Sequence, residues 1–169
     1  MMKEFIAFDY RVGLPQRLVM CPDGNCYNMT ENESVGEIIP ENYKFLGEPG
    51  AKLRPDTIMW ALVMLASVPH PNYDAEYGEF ERRLKQFGLR CDSNNDMCQV
   101  TIKLTEEKPD NWSMMVHDDL LDIVYDEVED FDEEGAKAMG RRIIETAIAL
   151  GVDISVNWQF KRLETTESN

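Results

Sequence analysis

Hydrophobic residues recur at every second position in three short segments, and this period of two is typical of β-strands. The segments are residues 4–12, 98–105 and 153–163. In the last of them, Ile154, Val156, Trp158 and Phe160 are separated by polar side chains, which predicts a strand with one buried face. The sequence also predicts that residues 98–105 pair with residues 89–91 across a turn at 93–96.

Two short β-prone runs between residues 17 and 29 predict a hairpin. Pro22 presets the backbone of the turn, and Gly24 can adopt the positive φ that the turn needs. Cys21 and Cys26 flank this turn, so we expect them to lie opposite each other. Three prolines and three glycines then make residues 30–55 a long loop segment, with short strands or anchors at 38–39 and 43–46.

Three other segments have apolar residues three or four positions apart, the spacing of a helix. They are residues 56–68, 72–88 and 133–151. The first is apolar on nearly every side, which predicts a buried helix with Asp56 as its N-cap. The second is amphipathic, and its polar side carries the basic residues Arg82, Arg83 and Lys85. A loop is expected over 106–115.

Residues 118–134 hold ten aspartates and glutamates and no lysine or arginine. On a helical wheel most of these acids share one face, and the apolar residues lie opposite. The acids on that face are Asp119, Asp122, Asp126, Glu129, Asp130 and Glu133. The apolar residues opposite are Leu121, Val124, Val128 and Phe131. The pattern predicts an amphipathic helix with a carboxylate stripe, although residues 120–125 are also compatible with the start of a strand.

Together these elements predict one α+β domain over residues 1–169, with a mostly antiparallel sheet and three to four helices packed on it. Residues 164–169 are expected to be a frayed tail. Glu4 and Asp9 lie where an export signal would have its apolar core, so the sequence predicts a cytoplasmic protein. In that compartment Cys21, Cys26, Cys91 and Cys98 are expected to be free thiols, and zinc binding by the two pairs is the alternative.

The net charge of the chain limits the classes of partner that it can bind. The chain has a formal net charge of −15, and the ten acids of 118–134 account for two thirds of it. Such a protein repels nucleic acids and anionic membranes and attracts basic surfaces. Like charges along a helix also cost stability. The stripe therefore indicates a function outside the helix.

The main hypothesis is an acidic protein-binding module without a catalytic site, metal or cofactor. Its expected contact residues are Asp118, Asp119, Asp122, Asp126, Glu127, Glu129, Asp130, Asp132, Glu133 and Glu134. A stripe with one carboxylate per about 5 Å of helix approaches the spacing of about 3.4 Å between phosphates along a DNA strand. The hypothesis therefore includes inhibition of a nucleic-acid-binding protein by phosphate mimicry, as in a phage or mobile-element antagonist or an immunity-type protein.

Two alternatives stay open at this point. In the first, Arg82, Arg83, Lys85, Arg141 and Arg142 neutralise the stripe internally, and the chain is a structural domain with a paired surface.

The second alternative is a metal-dependent phosphohydrolase. The carboxylate pairs Glu76/Glu79 and Glu127/Asp130 resemble those of the all-helical nucleotide pyrophosphatases, which implies Mg²⁺ or Mn²⁺ and cleavage of a nucleotide. The predicted strands argue against that all-helical fold. His70 and the dipeptide His117–Asp118 resemble the metal ligands of a His-Asp phosphohydrolase, but two histidines are too few for the usual ligand set.

Overall fold

A computed structural model describes residues 2–92 and 97–164. Over these residues the chain has the expected α+β fold, with mostly antiparallel sheets and three helices. The expected turn at 93–96 and most of the expected frayed tail, residues 165–169, lie outside the described ranges. In the described part of the chain, no helix combines the length and the apolar character needed to cross a membrane.

The N-terminal half forms a five-stranded antiparallel sheet. Its strands are β1 (Lys3–Asp9), β2 (Leu14–Met20), β3 (Asn25–Asn28), β4 (Glu33–Glu37) and β5 (Tyr43–Gly47), in the order β4-β3-β2-β1-β5. The predicted hairpin is confirmed as β2 and β3, but Cys26 lies opposite Met20 rather than Cys21. The segment 30–55 is not a plain loop, because it supplies β4, β5 and the short β6 (Lys52–Leu53).

The C-terminal half forms a four-stranded sheet in the order β10-β9-β8-β11. Its strands are β8 (Cys98–Lys108), β9 (Asn111–Asp118), β10 (Ile123–Phe131) and β11 (Ile154–Lys161). The loop predicted at 106–115 is wrong, since β8 and β9 form a long hairpin across it. Strand β7 (Arg90–Cys91) pairs in parallel with β6 and not with β8, so the predicted pairing of 89–91 is also wrong.

The three helices are α1 (Pro55–Ala66), α2 (Tyr73–Gln86) and α3 (Glu133–Ala149). All three agree with the predicted segments to within a few residues, but the N-cap predicted at Asp56 is wrong, because α1 begins at Pro55 and Asp56 lies in its first turn. Helix α1 is buried on most sides, and its carbonyl at Leu62 accepts a hydrogen bond from the buried hydroxyl of Tyr77 at 2.8 Å. One continuous hydrophobic cluster joins the three helices to strands of both larger sheets.

The helix predicted over residues 118–134 is wrong. Asp118 ends β9, residues 119–122 form a turn, residues 123–131 are β10, and Asp132 caps α3. Among the described strands β10 pairs with β9 alone, so it is an edge strand of the second sheet. The stretch therefore contains no continuous helical stripe of carboxylates.

Candidate functional site

The turn between β9 and β10 is built around the buried side chain of Asp118. One carboxylate oxygen accepts hydrogen bonds from the backbone N–H groups of Leu120 and Leu121, at 3.1 and 2.9 Å. The other accepts a hydrogen bond from the Tyr125 hydroxyl at 2.5 Å. Asp118 is only 3% exposed, so it holds the turn in place and is not part of a contact surface.

Cys98 also lies against Asp118, with its sulfur 3.9 Å from the carboxylate. Burial, followed by the nearby negative charge of Asp118, raises the pKa of the Cys98 thiol to about 12. At neutral pH this cysteine is a thiol and not the thiolate that a nucleophile requires. The buried cluster therefore has a structural role.

His117 binds two carboxylates of the turn. Its Nδ1 lies 2.9 Å from Asp119 and its Nε2 lies 3.0 Å from Asp122. The hydrogen bond to Asp119, followed by that to Asp122, raises the pKa of His117. Neutral imidazole has one N–H donor, so both hydrogen bonds form together only when the ring is protonated. His117 is thus the local cation for two of the acids.

The acids of β10 have no such partner. Within residues 2–92 and 97–164, none of the salt bridges involves Asp126, Glu127, Glu129 or Asp130. Three of these residues are exposed, and Asp126 is half-buried. We call Asp119, Asp122 and these four residues the acidic edge.

The last three acids of the stretch belong to the start of α3. The carboxylate of Asp132 accepts a hydrogen bond from the Gly135 N–H at 2.6 Å and so caps the helix. Glu133 binds Lys137 and Arg162, and the bond from Arg162 followed by that from Lys137 lowers its pKa to about 2. Glu134 is exposed in the first turn, where a negative charge favours the helix dipole. Local helix stability thus accounts for these three acids.

The three basic residues of α2 that could neutralise the stretch make salt bridges elsewhere. Arg82 binds Glu79, and Lys85 binds Glu81. Arg83 was expected on the outer face of α2, but it is buried and binds Glu79 and Glu31.

The two arginines of α3 do not reach the acidic edge either. Arg142 binds Asp74 and lies 3.8 Å from Glu145. Arg141 is exposed and takes part in none of the salt bridges formed by the described residues. The predicted pairing between the acidic stretch and Arg82, Arg83, Lys85, Arg141 and Arg142 is absent from this set of salt bridges.

An apolar group next to the acidic edge was missed by the sequence patterns. Leu120, Leu121, Ile123 and Val124 are 44–59% exposed. We call these four residues the apolar tip. Leu120 and Leu121 also line a cleft of about 230 Å³ against Arg54 and Asp56 at the start of α1. The sequence signal for this exposed group is the presence of four large aliphatic residues among acids. The helical wheel conceals it, because it assigns Leu121 and Val124 to a buried face.

The structure does not assemble the residues suggested for a metal-dependent hydrolase. Glu79 is bound by Arg82 and Arg83, and Glu127 and Asp130 lie on the edge strand. His70 packs against Tyr73 in the connection between α1 and α2. Among the described residues, no three histidines, cysteines or acids are grouped so that they could hold a metal ion.

Comparisons of the chain with protein-family models, with curated proteins and with solved structures give no match.

Proposed function

We propose that this chain is a protein-binding module whose acidic edge and apolar tip dock on a positively charged protein surface. The observation that carries the proposal is the unpaired state of the β10 carboxylates. Four acids lie close together on one edge strand. No cation of the described residues lies within salt-bridge distance of any of them. A basic partner would supply the missing counter-charges and be steered toward this edge.

The position of β10 in the sheet adds a way to bind. An edge strand has a row of outward N–H and C=O groups, which a partner strand can use to extend the sheet. Such pairing gives affinity through the main chain, and the side chains on either side give specificity. We propose that a basic segment of the partner pairs with β10 in this way.

Acids on an edge strand can also simply prevent aggregation. That explanation accounts for Glu127 and Glu129 but not for the apolar tip. A strand protected against association would not have four aliphatic side chains, each about half exposed, in its first residues and in the turn before them. The combination of exposed aliphatic groups and unpaired charge is the composition of a binding surface.

The proposed partner class follows from charge alone. Nucleic-acid-binding proteins have extended basic surfaces. The proposal therefore includes inhibition of such a protein, in an antagonist or immunity role. Phosphate mimicry by a rigid helical row of acids is not part of the proposal, because the acids lie on a strand and a turn. We also propose a cytoplasmic location, and the free thiols of Cys21, Cys26 and Cys98 are compatible with it.

The test is the triple variant E127Q/E129Q/D130N, measured with a fluorescent peptide of alternating lysine and valine. We expect the native chain to bind this basic, strand-forming peptide more weakly as salt increases. The triple variant removes three charges without removing side-chain volume and should weaken binding roughly tenfold, at about 0.5 kcal/mol for each charge pair. Fluorescence anisotropy measures both effects.

The matched control is E37Q/E41Q/E48Q, which makes the same change in net charge at three exposed acids outside the acidic edge. The control should keep most of the native affinity. Equal losses in both variants would mean that only the overall charge attracts the peptide, and the proposed site would be wrong.

A further inference from the structure

Strand β11 is the opposite edge of the same sheet, and half of its backbone groups face outward. It pairs in parallel with β8, from Ile154 opposite Cys98 to Lys161 opposite Thr105. The Cys98 N–H donates to the carbonyl of Asp153 at 2.8 Å. Because backbone groups alternate in direction along a strand, the odd-numbered residues of β11 bond to β8 and the even-numbered ones face outward.

The apolar side of β11 is only partly covered. Its neighbours on β8 are at most 4% exposed, and they are Cys98, Val100, Ile102 and Leu104. On β11 itself, Ile154, Val156 and Trp158 are half-buried, and Phe160 is 54% exposed. The hydrophobic layer under the sheet therefore ends at β11 with its last row of side chains incompletely packed.

Helix α3 borders this row without covering it. Gly140 lets the ring of Trp158 lie against the helix, and Lys137 lies over the ring of Phe160, with its nitrogen 5.7 Å from the ring centroid. Lys137, Arg141, Trp158 and Phe160 line an open depression of about 360 Å³. The depression therefore lies between the aromatic side chains of the edge strand β11 and the basic residues of α3.

The sequence of β11 complements itself when a second copy runs in the opposite direction. With Asn157 at the centre, the acid Asp153 faces Lys161, and Ile154 faces Phe160. The remaining positions also match in polarity, because Val156 faces Trp158 and Ser155 faces Gln159. Opposite residues in an antiparallel pair lie on the same side of the sheet. Apolar residues therefore meet apolar residues on one side, and polar residues meet polar residues on the other.

We propose that two copies of this chain form a symmetric dimer through β11, with the two-fold axis at Asn157. The two four-stranded sheets then join into one sheet of eight strands. The outward backbone groups of the even-numbered residues pair with those of the second copy, and Asp153 of each chain meets Lys161 of the other. Each β10 remains at an outer end of the joined sheet, so the dimer presents two acidic edges.

A charge exchange tests the pairing of Asp153 with Lys161. In D153K two lysines face each other at both ends of the interface, and in K161D two aspartates do, so each single variant should weaken dimerisation about tenfold. The double variant D153K/K161D restores opposite charges and should return to within about threefold of the native affinity. Sedimentation equilibrium measures the three dissociation constants. Both side chains are exposed, which makes loss of folding in these variants unexpected.

Cross-linking tests the register separately. Two cysteines introduced by N157C would lie across the two-fold axis in a non-hydrogen-bonded pair, about 4.5 Å apart at Cα, which suits a disulfide. The control Q159C would place its two cysteines about 13 Å apart along the strands. N157C should give a covalent dimer on mild oxidation, and Q159C should not. A native chain that sediments as a monomer, a double variant as weak as the singles, or equal cross-linking of N157C and Q159C would each overturn the proposal.

Discussion

At the scale of single residues, the acids of the stretch 118–134 differ in what their oxygens bind. Asp118 is a buried acceptor for two backbone N–H groups and a tyrosine hydroxyl. Asp132 caps a helix, and Glu133 binds two cations. The acids of β10 form none of the salt bridges among residues 2–92 and 97–164, and Asp126 and Asp130 accept hydrogen bonds from uncharged groups, the Glu127 N–H and the Asn111 side-chain amide. An acid count in the sequence cannot separate these roles, because they depend on which backbone and side-chain donors the fold brings near each oxygen.

His117 leads to a prediction about pH. Its folded-state pKa is raised mainly by Asp119 and, to a smaller extent, by Asp122. Protonation of His117 therefore stabilises the folded turn at residues 119–122. The stabilisation is fully present below the pKa of an unfolded histidine, about 6.5, and is lost as the pH rises through the higher folded-state pKa. An NMR titration of the His117 ring should show a pKa above that in the urea-unfolded chain, and D119N should lower it more than D122N. A folded-state pKa at or below the unfolded value would contradict the contacts described for this turn.

At the scale of elements, sequence patterns correctly predict the three helices, the hairpin of β2 and β3, and the strands β1, β8 and β11. They fail for β10 for a physical reason. The pairing of β10 with β9 shifts register between Val124 and Asp126 and again between Val128 and Phe131. Each irregularity moves the inward position by one residue, so the residues that turn toward the core are Tyr125, Val128 and Phe131, three apart. That spacing imitates a helix.

One feature of the sequence of the same segment does indicate a strand. It is rich in β-branched and aromatic residues, which favour strands. Asp122 and Asp130 also have φ values of 53° and 68°, which interrupt a helix but which aspartate tolerates better than most residues. Their φ values cannot be predicted from the sequence alone, because they depend on the register of β10 against β9. The sequence therefore draws attention to the acidic residues, but the backbone geometry that positions them is not predictable from it.

Two helical glycines test the packing of α3 against β11. A Cβ added at Gly140 would lie 2.8 Å from Cζ3 of Trp158, whereas one at Gly78 in α2 would meet only Nη2 of Arg142 at 4.0 Å. We therefore expect G140A to lower the free energy of unfolding by about 1–3 kcal/mol. G78A should raise it by about 0.5–1 kcal/mol, because alanine favours a helix. Urea denaturation at one protein concentration measures both, and equal stabilisation by the two substitutions would contradict the contact between Gly140 and Trp158.

At the scale of the whole molecule, the second sheet has two edges of different chemistry. β10 presents unpaired acids next to the apolar tip, and β11 presents half-covered aromatic residues next to Lys137 and Arg141. The proposed roles of these edges are compatible, since pairing through β11 leaves β10 free. They also respond differently to salt. Salt weakens the attraction of a basic partner to β10, but it screens the repulsion between two chains that each have a charge of −15.

The most direct measurement is amide hydrogen exchange with and without the lysine–valine peptide. If the acidic edge is the docking site, the outward N–H groups of β10 should become hydrogen-bonded, and their exchange should slow by at least about tenfold at peptide concentrations that give nearly full occupancy. Exchange in β4, β5 and β11, the other edge strands of the two larger sheets, should stay unchanged on addition of the peptide. Protection at one of those strands, or binding with no protection of β10, would contradict the central claim.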